Sequence, residues 1–306
     1  EVWAVHGTYP NMDWTPDSKS IVFWAGGKIN RVAIDSMEVS EIDFHVTDTR
    51  TVFDAPRPPV EVAPDSFETR MIRNAEISPD GSSVVFESAG RLYVQALPSG
   101  KPERLTRDAD DHFEYAPSWS RDGRHIVFVT WNDQTLGQIH RVKAGGGRST
   151  QLSVEPGHYH APRFSPDGKF IVFEISSGGW LTSPEWSMET GVFRMPSGGG
   201  QAQRVTRDGG NPHFGSRNDR LYVNRSSESG EGLSLVSIDL NGEAPRVHAD
   251  GKYVTQIEVA PNERYLAFRE NYHVYALPLP PGGKPLTLST KVKSVQNTQK
   301  ITRAME

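Results

Sequence analysis

The sequence contains no cysteine, so disulfides, thiolate nucleophiles and thiolate metal ligands are all excluded. It has no block of lysine and arginine, and a net charge of −5 spread along the chain argues against a nucleic-acid partner. No apolar run approaches the roughly 18 residues that a membrane-spanning helix requires. The G-x-S-x-G nucleophile elbow of serine hydrolases is missing as well. The sequence therefore offers no catalytic motif, and whether the chain is an enzyme is left open at this level.

What the sequence has instead is a short phrase that recurs and always precedes a β-run. The clear copies read WTPDS (14–18), ISPDG (77–81), WSRDG (119–123) and FSPDG (164–168), and the weaker ones read FGSRN (214–218) and VAPNE (259–263). Equivalent positions lie 63, 42, 45, 50 and 45 residues apart. A period of about 40–50 residues with strands in every copy predicts a β-propeller with one blade per copy.

The period predicts an all-β fold in which six four-stranded blades form a single domain over residues 1–306. The repeats run over 11–70, 71–113, 114–158, 159–209, 210–254 and 255–306. An open or incomplete seven-bladed arc is the alternative. An insertion at 43–70 carries prolines that exclude a central strand. A second insertion, at 176–189, contains Trp180 and Trp186, which either cover the propeller mouth or contact a partner.

The recurring residues of the phrase are predicted to form turns and the core and not a functional site. An Asp followed by Gly favours a tight turn, because Asp bonds nearby backbone and Gly accepts a positive φ. We therefore interpret Asp17, Asp80, Asp122 and Asp167 as turn residues despite their resemblance to a carboxylate array. The recurring aromatic residues are predicted to pack between blades, and they are Trp14, Trp119, Phe164 and Phe214.

Five histidines lie one to eight residues before the aromatic position of a repeat, in segments that enter the innermost strands; they are His6, His112, His158, His160 and His213. In a propeller such segments gather on one face, around the mouth of the central channel. The predicted binding residues at this mouth are these histidines with Trp131, Trp180 and Trp186. The simpler alternative is that each histidine bonds the backbone of its own blade.

A cofactor is not required by the sequence, but imidazoles and carboxylates at the mouth are suitable ligands for a divalent metal. If a metal binds, the predicted ligands are His112, His158, His160, Asp110 and Asp111. The His158-Tyr159-His160 segment resembles a metal motif of amidohydrolases. We interpret that similarity as coincidental, because the segment lies in a connection between blades.

The PDG-type phrase and the outer-strand segments LTRD (105–108) and VTRD (205–208) resemble the TolB-type, WD-repeat-like propellers of bacteria. Longer segments at 4–29, 114–142 and 155–168 resemble the propeller region of large exported bacterial proteins of the amidohydrolase family. The resemblance implies a periplasmic or otherwise exported location and a metal-dependent hydrolase domain elsewhere in the parent protein. None of the catalytic motifs of that family matches a position of this chain.

Three functions remain compatible with these features. The first is a non-catalytic propeller module, a binding or gating scaffold whose partner is an adjacent hydrolase domain or another protein. The second is a propeller hydrolase in its own right, acting on an ester or lactone through a metal or a His/Asp pair. The third is a free-standing TolB-like protein that binds partners in the bacterial envelope.

Overall fold

A computed structural model describes residues 11–55, 61, 64–69, 71–108, 111–177, 189–228, 230–270, 273–279, 285–288 and, for the backbone alone, 299–301. The described residues contain 25 strands and no helix. Within the same residues no helix meets the length and apolarity that a bilayer span requires. The chain divides into two compact units, Glu1–Asp65 and Ser66–Glu306.

The first unit contains one antiparallel sheet, formed in order by β1 (Met12–Trp14), β2 (Ser20–Ala25), β3 (Lys28–Ala33) and β4 (Val39–Ile42). The described residues between 43 and 69 form no strand and are exposed, as the prolines of this insertion predict. Trp14 is 55% exposed on its three-residue strand, so it does not take the buried position that the repeat predicts.

The second unit contains five further sheets, numbered here as blades 2 to 6. Blade 2 consists of β5 (Arg73–Ile77), β6 (Ser83–Ser88), β7 (Arg91–Ala96) and β8 (Glu103–Arg104). Blade 3 consists of β9 (Phe113–Trp119), β10 (His125–Asn132), β11 (Leu136–Lys143) and β12 (Thr150–Gln151). Blade 4 consists of β13 (His158–Phe164), β14 (Phe170–Ser176), β15 (Gly191–Pro196) and β16 (Gln203–Thr206).

A segment between two strands of blade 6 pairs with blade 5 near the end of the described chain. Blade 5 consists of β17 (Gly210–Phe214), β18 (Leu221–Ser226), β19 (Leu233–Ile238) and β20 (Arg246–Gly251). Blade 6 consists of β21 (Val254–Val259), β22 (Tyr265–Glu270), β23 (His273–Pro278) and β25 (Gln299–Ile301). Between the last two of these strands, β24 (Leu286–Thr287) pairs in parallel with β20 and gives blade 5 a fifth strand. The all-β propeller fold with six blade sheets is thus confirmed, whereas the single domain over 1–306 stays a prediction.

The repeated phrase forms the same turn in successive blades. In blade 3 the Ser120 hydroxyl donates to Asp122 Oδ1 at 2.6 Å, and that oxygen also accepts the Arg124 backbone N–H at 3.0 Å. Gly123 follows with a φ of 69° and donates its N–H to Ser120 O at 2.9 Å. Equivalent bonds involve Asp17, Asp80 and Asp167. The prediction that these carboxylates serve the turn is confirmed.

In blades 3 to 6 the apolar residue that opens the phrase packs against the preceding blade, whereas Ile77 of blade 2 is 61% exposed. Trp119 belongs to a buried cluster with residues of blades 2 and 3, and Phe164 to one that joins blades 3 and 4. Phe214 and Val259 occupy the same place between blades 4 and 5 and between blades 5 and 6. The predicted core role of Trp119, Phe164 and Phe214 is therefore confirmed.

Each inner strand of blades 2 to 6 contains a bulge, in which one extra residue shifts the pairing with the next strand. In four of these strands the bulge contains a residue with left-handed backbone, namely Asn74 (φ 48°), Ala116 (50°), Ala161 (44°) and Asn211 (47°). Alanine rarely adopts this conformation. Because a bulge bends the strand that contains it, the inner strand changes direction shortly before the phrase begins.

Candidate functional site

The inner strands of blades 2 to 6 surround a cavity of about 610 Å³. Its wall is polar, because each inner strand has a polar residue immediately before the apolar residue of its phrase. These residues are Glu76, Ser118, Arg163, His213 and Glu258, and all five line the cavity. The bulges occur at the same place in blades 2 to 5 and nearer the start of the strand in blade 6, and in all five blades this one repeat position lines the cavity.

An ion pair crosses the cavity between blades that are not neighbours. The Nη1 atom of Arg163, on blade 4, lies 2.6 Å from Oε2 of Glu76, on blade 2. The other oxygen of Glu76 accepts the Ser118 hydroxyl at 3.2 Å and the backbone N–H of Trp119 at 3.1 Å. The Arg163 and Glu76 side chains are 27% and 31% exposed, so water in the cavity reaches both charges.

The second carboxylate of the cavity, Glu258, also depends on Arg163. Burial alone raises the pKa of this carboxyl, but the Arg163 charge and hydrogen bonds from Gln256 and Asn211 outweigh it and hold the pKa below the usual value. The Gln256 and Asn211 amides donate to Glu258 Oε1 at 2.8 and 3.4 Å. Glu258 is therefore held as a carboxylate at neutral pH.

His213 lies in the cavity wall with both ring nitrogens engaged. Nδ1 lies 2.9 Å from the carbonyl oxygen of Asn211, so Nδ1 carries the hydrogen, and Nε2 accepts the backbone N–H of Val259 at 3.0 Å. The residue is 7% exposed, and burial lowers the pKa of the imidazole. His213 therefore stays neutral and joins blade 5 to blade 6, with no lone pair available to a ligand.

Arg121 closes one end of the cavity. The guanidinium donates to the carbonyl oxygens of Phe214 and Gly215 in the blade 5 phrase and, at 3.5 Å, to Pro261 O in the blade 6 phrase. The clear phrases of the other blades have proline at this position. The departure of blade 3 from the repeat thus supplies a side chain that connects three blades at the level of their turns.

The predicted mouth residues fall into separate groups. The rings of His158 and Trp131 pack together with centroids 4.4 Å apart. His160 lines the cavity and bonds Ser176 Oγ through Nε2 at 3.0 Å, whereas His112 bonds Asp111 and lies beside Glu114 at the junction of blades 2 and 3. The predicted residues that lie outside the described part of the chain are His6, Asp110, Trp180 and Trp186. The role of these residues in binding stays a prediction.

Glu76, Arg163, Glu258 and Arg121 are not among the site residues predicted from the sequence. A signal for the first three exists, since every copy of the phrase is preceded directly by a polar residue, including Asp13 in the first unit. A polar residue repeated at one place, directly before an apolar one, indicates a shared aqueous lining. For Arg121 the signal is the single replacement of proline within the clear phrases.

Comparison with known proteins agrees with this architecture. The family model described as the dipeptidyl peptidase IV (DPP IV) N-terminal region matches residues 30–179, just under half of the chain. An uncharacterized protein of Agrobacterium fabrum, Atu1656, is 23% identical over 210 residues, which are 67% of this chain and 60% of that protein. The Tol-Pal system protein TolB of Francisella tularensis is 28% identical over 126 residues, 40% of this chain and 27% of that protein.

Among solved structures, TolB from Acinetobacter baumannii matches with a TM-score of 0.52 and 16% sequence identity, over 88% of this chain and 60% of that one. Fold and comparisons together define an all-β propeller whose fold is similar to that of TolB. The chain spans 60% of its Agrobacterium relative and about a quarter (27%) of TolB from Francisella.

Proposed function

We propose that this chain is a non-catalytic TolB-like propeller module that binds a partner and serves as a scaffold or gate within a larger hydrolase system. One observation carries the proposal. Several ionisable groups in the cavity wall are used in contacts between blades, as in the bond of His213 to Val259 and the pairing of Glu76 with Arg163. A general base needs a lone pair within reach of a substrate proton. Groups committed in this way instead give a binding surface its shape and electric field.

The connection to a hydrolase is supported by the family match, because the matching model describes the N-terminal region of a peptidase. It is also supported by the fraction of the relatives that the chain spans, which leaves room for further domains in proteins of this kind. The partner in this proposal is an adjacent hydrolase domain or a separate protein. The similarity to Tol-Pal system proteins supports a periplasmic or otherwise exported location.

The test isolates the native gene product from its source cells with an antibody raised against this chain. Its intact mass and peptide map give its domain content, and fractionation gives its compartment. A hydrolase domain in the same polypeptide, or in a stoichiometric complex with it, is the expected result. A native product of propeller blades alone, purified without a hydrolase, would overturn the proposal and favour the free-standing TolB-like protein.

A second measurement separates the module from a propeller that is itself an enzyme. The purified chain is assayed against ester, lactone and peptide substrates, together with the variants Glu258→Gln and His160→Ala. The proposal expects rates equal to the uncatalysed background for all three proteins. Turnover by the wild type that either substitution abolishes would show an active site in the cavity and contradict the proposal.

A further inference from the structure

A group of metal-ligating side chains lies outside the cavity, where blade 2 meets blade 3. Asp108 follows the outer strand of blade 2, and His112 and Glu114 lie at the beginning of β9. One ligand atom of each residue lies within 4.8 Å of those of the other two. Glu114 is completely buried, and the side chain of His112 is 14% exposed.

The imidazole of His112 is oriented towards this group by its neighbour. Nδ1 lies 2.8 Å from Oδ1 of Asp111, and because a carboxylate only accepts, Nδ1 carries the hydrogen. Nε2 therefore presents a lone pair, which is buried, has no hydrogen-bond partner and lies 3.7 Å from Glu114 Oε1. Two buried acceptors that face each other repel unless a cation or a proton lies between them. A carboxylate behind the distal nitrogen is the arrangement that commonly orients metal-binding histidines.

The two carboxylates are held in place by groups from both blades. Glu114 accepts the Leu92 backbone N–H at 3.0 Å and the Thr106 hydroxyl at 2.5 Å, both from blade 2. Asp108 accepts the Ser149 backbone N–H of blade 3 at 3.1 and 3.2 Å. A carboxylate oxygen has more than one lone pair, so these bonds fix the carboxylates and leave electron pairs for an ion. The Arg104 guanidinium also lies near this group, 3.8 Å from Glu114 Oε1.

We propose that Asp108, His112 and Glu114 bind one divalent transition-metal ion of the zinc type, which fastens blade 2 to blade 3. One imidazole nitrogen and two carboxylates form a set that zinc accepts with four-coordinate geometry, leaving one position for water. The imidazole disfavours calcium and magnesium, which prefer oxygen ligands. In this site Asp111 positions the imidazole and does not bind the ion. The proposal goes beyond the proposed binding function and does not depend on it.

The test titrates Zn²⁺ into chelator-treated protein, with calorimetry for affinity and elemental analysis after dialysis for stoichiometry. We expect one zinc per chain, weaker binding of Ca²⁺ and a rise in melting temperature with zinc. Asp108→Asn keeps an acceptor for the Ser149 N–H but removes the charge. This variant and the separate variant His112→Ala should each abolish stoichiometric zinc binding. Asp111→Ala should weaken zinc binding by about 10–100-fold.

His160→Ala is the matched control, because it removes an exposed imidazole that lies outside this group and should leave zinc binding unchanged. The melting temperature of each variant without metal shows whether it folds. Absence of stoichiometric zinc in the wild type would overturn the proposal, as would unchanged affinity in folded Asp108→Asn and His112→Ala. Either result would show that the three side chains meet without binding an ion.

Discussion

Arg163 and Glu76 are 87 residues apart in the sequence, and their side chains meet at 2.6 Å between blade 4 and blade 2. The pair passes over blade 3, whose Ser118 hydroxyl and Trp119 N–H bond the same carboxylate. Arg163 lowers the pKa of Glu258 and also acts on Glu76, where burial outweighs it and raises the pKa above the usual value. One cation of blade 4 therefore interacts with both carboxylates of the cavity.

Replacing Arg163 with methionine should raise the pKa of Glu258, because its main positive neighbour is lost. In the wild type this pKa lies below its unfolded value of 4.5, so the carboxylate stabilises the fold above about pH 4.5, and this contribution is lost as the pH falls through the folded pKa. The variant should lose less stability on acidification. Carboxyl NMR and denaturation between pH 3 and 7 measure both effects. Arg107→Met, at an exposed site, should leave the Glu258 pKa unchanged; an unshifted Glu258 pKa in Arg163→Met would contradict the assignment.

Replacing Arg121 with glutamine should lower the free energy of unfolding by about 1–3 kcal/mol, since bonds from a charged donor to three carbonyl oxygens are lost. The matched control is Arg124→Gln, three residues further on in the same turn. The Arg124 side chain is 77% exposed and pairs only with Asp122 among the bonds of the described residues, so we expect a change within about 0.5 kcal/mol. Urea denaturation compares the two variants. Equal effects would show that Arg121 does not connect the blades.

Replacing His213 with phenylalanine keeps a ring stacked on Tyr222 but leaves the Val259 N–H without its acceptor. We expect a loss of about 1–3 kcal/mol at pH 7. Burial lowers the pKa of His213, so below about pH 6.5 the unfolded chain binds a proton that the folded chain refuses, and wild-type stability falls with pH in that range. The variant should lack this component. Parallel pH profiles of stability for the two proteins would refute a neutral, buried His213.

Replacing Ala161 with glycine should raise stability by about 0.5–1 kcal/mol, because Ala161 adopts a φ of 44° that costs alanine more than glycine. Ala161→Val should instead destabilise the fold, since a β-branched residue tolerates this backbone least. Ala202→Gly provides the control, as this exposed alanine has no positive φ and gains nothing from the change. Thermal unfolding ranks the three variants. A loss of stability in Ala161→Gly would indicate that the bulge is not strained.

The sequence reveals the turn chemistry and the blade cores because both are local and periodic. Asp122 bonds residues within two positions of itself, and the aromatic position that Trp119 occupies recurs at the interval that defines the blades. The bulge carries no comparable signal at Ala116 and Ala161, since alanine is not a residue that favours left-handed backbone. The five histidines were expected at one mouth because their spacing from the phrase is similar. A shift of a few residues along a strand, however, moves a side chain from the cavity, as in His213, to the junction of two blades, as in His112.

The long-range contacts could not be predicted from one sequence. The pairing of Glu76 with Arg163 depends on how three successive blades are placed, and no pattern within either blade encodes it. The parallel pairing of Leu286–Thr287 with blade 5 has the same origin. Strand content and repeat period follow from local chemistry, whereas the contacts between distant residues follow from the assembled fold.

Strand alternation gives different roles to two adjacent residues of each inner strand. In blades 3 to 6 the apolar residue of the phrase packs between blades, and the residue before it lines the cavity. Five strands therefore present five positions at which Glu, Ser, Arg and His already coexist on one unchanged backbone plan. A single-codon change at one of them alters the charge or the hydrogen bonding of the cavity wall. Propellers of this kind can diverge in binding preference faster than in shape, and relatives with the same repeat phrase need not share a ligand.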